Sequence, residues 1–294
     1  MKRLFALGML LVLIVGMLAG CGQEAVKSVG DPDKKAMLVV SFGTSYHDTR
    51  EKTIDVIEQR FVDEFPEYDM VRAWTSQIII DILKDRDQIE VFNVTEAMEH
   101  LKSQGYSEVV VQPTLVMNGA EYDDVVREVM AFEEEFTSIK IGQAMLSSVQ
   151  DFEVVVDALA THMPARSENE AVVLMGHGTH HHANSVYSAL DYTLEEKNEI
   201  NTYVGTVEGY PEFEHVVKKL EKNEIEKVTL MPFMIVSGDH AENDMAGDAD
   251  DSWKTMLKKD GYIVDTKMMG LGEMSQLQDL FIEHAHTAIN GEEH

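Results

Sequence analysis

A repeat within the chain constrains its fold more than any other feature. MLVVSFGTSYHD (37–48) parallels VVLMGHGTHHHA (172–183), and VVVQPTLVMNGAEYDD (109–124) parallels VTLMPFMIVSGDHAEND (228–244). In the second pair, glycine follows proline by six residues in both copies. Two matches in the same order predict two related halves, roughly 36–145 and 146–294.

Each half alternates short apolar runs with helical patterns. The runs predict strands at 36–41, 108–112, 171–175, 202–207 and 227–231. Apolar residues at helical spacing follow over 54–65 and again over 94–101, where Gly105 is a natural stop. This alternation predicts an α/β fold with two similar lobes, each a parallel sheet flanked by helices. Sites in such sheets form at the carboxyl ends of strands, so a central cleft between the lobes is expected.

The first residues predict export. Lys2 and Arg3 precede an apolar run over 4–19, and the run ends in Leu-Ala-Gly before Cys21. This order is typical of a lipoprotein signal peptide over 1–21, with Cys21 lipidated, although a buried cysteine in an N-terminal helix is the alternative. Residues 22–34 are polar and predict a tether. The expected location is extracytoplasmic, with a lipid anchor as the only membrane contact and, since Cys21 is the single cysteine, no disulfide.

Charge and motifs exclude several classes of function. The formal net charge is −29, and binding to nucleic acid requires a basic face. The chain contains no His-Glu-x-x-His, no Walker loop and no Gly-x-Ser-x-Gly. The acidic run over 244–251 lacks the spacing of a calcium loop and is interpreted as a solvated face.

Histidines follow two of the predicted strands. His177 lies between two glycines directly after a strand, and either an exposed reactive imidazole or a turn histidine bonded to the backbone fits there. In the repeat His240 takes the place of Glu121, and a helix start with Asp239 as cap is its alternative. The run His180–His182 is interpreted as a solvated helix start rather than as a site of metal capture.

Two carboxylates complete the candidate set. Glu208 follows the strand 202–207, where it is either a ligand or a solvated loop residue. Glu121 is a ligand, a proton acceptor or an acid favoured by a helix start. Two histidines and a carboxylate suit a borderline divalent ion such as Co, Ni, Fe or Zn.

The chain resembles the class II chelatases, in their branch of anaerobic sirohydrochlorin cobaltochelatases. The resemblance rests on LVVSFGTSYHDTREK (38–52), NGAEYDDVVREV (118–129), MGHGTHHHA (175–183), VGTVEGYPE (204–212) and SGDHAENDMAGDADDSWK (237–254). It implies two α/β lobes with a cleft between them. It also implies His177, Glu208 and His240 as metal ligands and Glu121 in metal or proton handling, with His177 and Glu121 as the catalytic pair.

The implied reaction inserts Co(II) into sirohydrochlorin, or its precorrin form, and releases two protons. The partners are then a tetrapyrrole and a divalent metal, with Fe(II) and Ni(II) as further metals the same ligands accept. Arg50, Arg72 and Arg127, with backbone amides at 43–44 and 178–179, are candidates to bind the macrocycle's carboxylates. The export signal departs from a cytoplasmic pathway and leaves a metal or tetrapyrrole carrier, serving iron or haem uptake, as the alternative function. The oligomeric state is open, with a homo-oligomer among the alternatives.

Overall fold

Two parallel sheets form the framework of the molecule. The computed structural model describes residues 30–291. The first sheet has the order β3-β2-β1-β4-β5, from β1 (Asp31–Ser41), β2 (Asp69–Trp74), β3 (Phe92–Asn93), β4 (Tyr106–Pro113) and β5 (Ser138–Ile141). The second has the order β7-β6-β8-β9, from β6 (Glu170–Gly176), β7 (Thr202–Thr206), β8 (Lys227–Phe233) and β9 (Ile263–Thr266). All neighbouring strands run parallel, as predicted.

Ten α-helices connect or cover these strands within the described residues. They are α1 (His47–Lys52), α2 (Ile54–Glu64), α3 (Gln77–Ile82), α4 (Val94–Ser103), α5 (Ala120–Met130), α6 (Val149–His162), α7 (Ser185–Glu196), α8 (Phe213–Lys222), α9 (Trp253–Lys259) and α10 (Ser275–Asn290). The predicted helical stripes over 54–65 and 94–101 coincide with α2 and α4 and are buried. Asn93 begins α4 with a capping box to Glu96, and Gly105 follows its end at φ +76°.

Strand order confirms that the two lobes are similar. The series β2-β1-β4-β5 in the first lobe matches β7-β6-β8-β9 in the second, and the first sheet adds the short edge strand β3. Both copies of the Gly-Thr turn have a left-handed glycine, at φ +100° for Gly43 and +82° for Gly178. The repeat in sequence is therefore a repeat in structure.

One hydrophobic cluster joins the lobes. In β1, Met37 and Val39 face this shared cluster, which Val172 and Leu174 of β6 enter from the second sheet. The alternate residues of each strand face separate outer clusters, covered by α4 and α5 in the first lobe and by α8 and α9 in the second. Both central strands are buried on both faces, which explains their continuous apolar sequences.

The last helix returns to the first lobe. Helix α10 contacts α2, β4 and β5 as well as α6. Leu277, Leu280 and Phe281 of α10 are buried in the shared cluster. The predicted division into 35–145 and 146–294 thus separates the two sheets, but it does not separate the helices that cover them.

The amino end of β1 corrects the predicted tether. The strand begins at Asp31, so residues 31–34 belong to it rather than to a linker over 22–34. The backbone explains the difference, since the Asp31 amide donates to Gly105 O at 2.8 Å and the Ser107 hydroxyl donates to Lys34 O. The signal peptide and Cys21 lie outside the described residues, and within 30–291 no helix is long and apolar enough to cross a membrane.

Candidate active site

The candidate site lies where loops after β6 and β7 meet. The amide of Glu208 donates to the carbonyl of His177 at 2.8 Å, which places the two backbones side by side. Gly178 makes this approach possible, because a Cβ there would lie 2.7 Å from the nitrogen of Gly209. Its left-handed φ favours glycine as well.

His177 and His240 face each other at the carboxyl ends of their strands. Their ring centroids are 4.7 Å apart with planes at 80°. In His177, Nδ1 lies 2.8 Å from the carbonyl of Gly178, which can only accept, so Nδ1 carries the proton. In His240, Nδ1 lies 2.5 Å from the carboxylate of Asp244. Both imidazoles therefore hold Nδ1 in a hydrogen bond and keep Nε2 for a ligand.

Asp244 bonds to His240 and was not among the site residues predicted from the sequence. It lies four residues after His240, across the turn of π-helix at Ala241–Met245. A carboxylate on the second nitrogen of a ligating histidine fixes the tautomer and raises the basicity of the ligand. The i, i+4 spacing was the signal available in the sequence, where the acidic run was interpreted only as a solvated face.

Glu121 lies in the first turn of α5, across the cleft from His177. Partial burial raises the pKa of the Glu121 carboxyl, although the charge of His177 lowers it. The residue nevertheless keeps access to solvent. A carboxyl with a raised pKa, open to water and facing an imidazole, is suited to accept and release a proton.

Glu208 is near the pair through its backbone, and its side chain is exposed. Within residues 30–291, no three His, Cys, Asp or Glu side chains lie together as a ready-made metal site. The structure brings His177 and His240 together and places Glu121 opposite them. The role of Glu208 as third ligand stays a prediction.

Tyr187 packs against the backbone of the His177 loop and was not among the residues predicted from the sequence. Its buried hydroxyl accepts hydrogen bonds from the amides of Gly178, at 3.2 Å, and His177. Burial raises the pKa of Tyr187 to about 12, despite the opposing effect of these bonds. A Cβ on Gly176 would lie 2.2 Å from the Tyr187 ring, so the first glycine of Gly-His-Gly makes room for this support.

Contacts across the cleft close it on two sides. On one side the Tyr46 hydroxyl donates to Asp239 at 3.2 Å. On the other, His181 Nε2 lies 3.3 Å from Asp123. His181 also caps the short 3-10 helix at His182–Asn184 through Nδ1, whereas His180 and His182 are exposed. The histidine run thus begins a short helix, as interpreted from the sequence.

The arginines predicted to bind carboxylates of the ligand already bind carboxylates of the protein. Arg50 pairs with Asp55, Arg72 with Asp55 and Glu58, and Arg127 with Asp124. The chain has 53 acidic residues against 24 lysines and arginines, so internal partners are abundant. The amides at 178–179 are also occupied, by the Tyr187 hydroxyl and the Asn184 side chain.

A separate pocket of about 580 Å³ lies at the amino ends of β6 and β8. Its basic residues are Arg166, Lys227, Lys254, Lys258 and Lys267. Most of them already pair with acidic residues or bind backbone carbonyls, and the pocket is at the edge of the sheet opposite His177. It is therefore not part of the candidate site.

The fold and the paired imidazoles define a protein of the chelatase type. SirB from Bacillus subtilis with Fe3+ has a similar fold, with a TM-score of 0.61 and 15% identity over 88% of this chain and 97% of that one. The model of the family described as Cobalt chelatase (CbiK) matches residues 35–290. The chain belongs to this cobalt chelatase family.

Two relatives carry the same description of activity. The sirohydrochlorin cobaltochelatase of Salmonella typhimurium is 42% identical over 257 residues, which are 87% of this chain and 97% of the relative. The sirohydrochlorin cobaltochelatase CbiKC of Nitratidesulfovibrio vulgaris is 32% identical over 87% of this chain and 91% of the relative. The family suggested by five sequence stretches is thus confirmed.

Proposed function

We propose that this protein is a sirohydrochlorin cobaltochelatase, an enzyme that inserts Co(II) into the tetrapyrrole and releases two protons. The observation that carries the proposal is the pair of imidazoles, His177 and His240, which lie on one lobe and leave Nε2 available on each ring. The name shared by relatives at 42% and 32% identity supports it.

The geometry suits transfer of a metal rather than its storage. Two imidazoles, with Glu208 as the proposed third ligand, leave coordination positions open for incoming pyrrole nitrogens. Co(II) is the substrate metal here, and Fe(II) and Ni(II) are proposed as further substrates because imidazole accepts all three ions.

Two protons must leave the macrocycle as the metal enters. Glu121 is the proposed first acceptor, since its raised pKa brings it closer to neutral pH and its access to solvent allows release. His177 is the second candidate, and its interaction with Glu121 couples the two. Each group serves as an acceptor only while the metal does not occupy it.

The location of the reaction is part of the proposal. The signal-like segment 1–21 supports export, with lipidation at Cys21 and an extracytoplasmic, membrane-anchored protein. That observation also favours a second function, a carrier of metal or tetrapyrrole that uses the same cleft without turnover. Retention of Glu121 opposite His177 supports the enzyme, because a carrier needs no proton acceptor.

Metal insertion by the chain from Gly22 onward tests the two functions. Sirohydrochlorin and Co(II) are mixed without oxygen, and the visible spectrum is followed beside His240→Ala and Glu121→Gln. We expect insertion above the uncatalysed rate, its loss in His240→Ala, and slow insertion with metal binding intact in Glu121→Gln. Binding of metal or macrocycle without any acceleration would favour the carrier.

A further inference from the structure

The two halves of the cleft share one backbone frame. In each lobe two amides of one loop donate to carbonyls of the next at 2.8 to 3.2 Å. They run from Thr75 and Ser76 to Ser41 and Phe42 in the first lobe, and from Val207 and Glu208 to Gly176 and His177 in the second. This one-to-one match superposes Phe42 on His177 and Ser76 on Glu208. The first lobe therefore holds the frame of the proposed metal site without its ligands.

Phe42 is exposed where a phenylalanine is ordinarily buried. Its exposed fraction is 42%, whereas Val40 and Trp74 beside it are fully buried. The left-handed Gly43 after it repeats the turn at Gly178, and the His177 ring held by that turn reaches His240 in the cleft. The same frame directs Phe42 towards the cleft from the opposite lobe.

The helix beside Phe42 extends the apolar surface. Helix α3 begins directly after Ser76, and its Ile78 and Ile82 are 74% and 39% exposed. These two isoleucines are four residues apart and so lie on one face of the helix. Phe42, Ile78 and Ile82 together form what we call the apolar rim. Exposed apolar side chains grouped beside a cleft are a mark of ligand binding.

Charge explains why an apolar contact is needed. A sirohydrochlorin ligand carries many carboxylates, the protein carries a net charge of −29, and the three predicted arginines are engaged with acidic residues. The conjugated plane of the macrocycle offers a source of affinity that does not depend on charge. Aromatic rings favour offset stacking on such a plane, and water leaves both surfaces on contact.

We propose that Phe42, with the apolar rim beside it, receives the face of the tetrapyrrole on the half of the cleft that lacks metal ligands. The macrocycle then lies between the apolar rim of the first lobe and the histidines of the metal-binding lobe. Divergence of one repeated frame into His177 and Phe42 assigns the metal to one half and the macrocycle plane to the other. This inference rests on the proposed function, because the tetrapyrrole substrate is the one proposed there.

Binding of sirohydrochlorin without metal tests the inference. The dissociation constant is measured from absorption and fluorescence changes, without oxygen, for the wild type, Phe42→Ala and Phe42→Leu. Ile263→Ala serves as the control, because Ile263 is 62% exposed on β9 and far from the cleft. Loss of a stacked ring and its buried area should weaken binding about tenfold in Phe42→Ala. Leucine should restore part of this loss, and the control should bind as the wild type does.

Binding of Co(II) alone shows whether Phe42 acts on the macrocycle only or on the metal site as well. Phe42→Ala should bind Co(II) as the wild type does, since Phe42 is no ligand. Wild-type affinity for sirohydrochlorin in Phe42→Ala, or a loss of Co(II) binding equal to the loss of macrocycle binding, would overturn the role of Phe42 alone. If the wild type itself binds no sirohydrochlorin, the proposed function fails, and this inference fails with it.

Discussion

Gly178→Ala should damage both the stability and the metal affinity of the protein, because two costs fall on one residue. The left-handed backbone at φ +82° costs alanine about 1–2 kcal/mol. The new Cβ would also lie 2.7 Å from Gly209 N and 2.8 Å from Glu208 C, which are backbone atoms that cannot rotate away. Relief of such overpacking costs about 1–3 kcal/mol more, so we expect a total loss of about 2–5 kcal/mol.

Gly105→Ala is the matched control, since φ is +76° there and nothing lies within 4 Å of the added Cβ. It should lose only the backbone cost of about 1–2 kcal/mol. Unfolding in urea measures both variants, and calorimetry measures Co(II) binding. We expect only Gly178→Ala to bind Co(II) more weakly, because the clash separates Glu208 from His177. Equal losses of stability in the two variants, with wild-type Co(II) affinity in both, would refute the role of this close approach.

Three further substitutions examine the supports of the site and of the fold. Asp244→Ala should weaken Co(II) binding about ten- to a hundredfold, whereas Asp244→Asn, which keeps a hydrogen-bond acceptor, should retain most of the affinity. Equal affinities of Asp244→Ala and the wild type by calorimetry would contradict this. Tyr187→Phe should lower the free energy of unfolding by about 1–3 kcal/mol, because two buried amides lose their acceptor, and an unchanged urea midpoint would contradict it. Asp151 is buried, which alone would raise its pKa, but hydrogen bonds from His284 and Ser147 lower that pKa to about 2. The contribution of Asp151 to the free energy of unfolding is therefore complete above about pH 4 and is lost as pH falls towards 2. Asp151→Asn should flatten the acid side of the curve of unfolding free energy against pH, and an unchanged curve would exclude this role.

Local patterns were enough to predict the framework and the position of the main candidates. Apolar runs located β1, β4, β6, β7 and β8 but not the other four strands of the described residues, and the repeat paired His240 with Glu121 at equivalent strand ends. Placement at the carboxyl ends of parallel strands then brought His177 and His240 within 4.7 Å. These inferences succeeded because each depends on spacing along the chain and on one rule of sheet geometry.

Features that depend on packing between distant segments were not predictable. The ion pairs of the three candidate arginines were not predicted, because the choice of partner in an acidic chain is made by tertiary structure. Tyr187 could not be linked to the Gly-His-Gly turn, since a tyrosine ten residues further on gives no sign of folding beneath it. The return of α10 to the first lobe was missed for the same reason, because its apolar stripe fits either sheet.

If Cys21 carries the proposed lipid, the direction of β1 bears on how the protein faces the membrane. The strand enters the domain at Asp31 and reaches the cleft at Ser41, ten residues later, which is about 33 Å at the usual rise per residue. A lipid on Cys21 would thus attach to the end of the first lobe that is remote from the opening. The segment 22–30 adds at most about 30 Å of extended chain. An anchored molecule would turn its cleft away from the bilayer and towards solutes, so metal and macrocycle would arrive from the aqueous side.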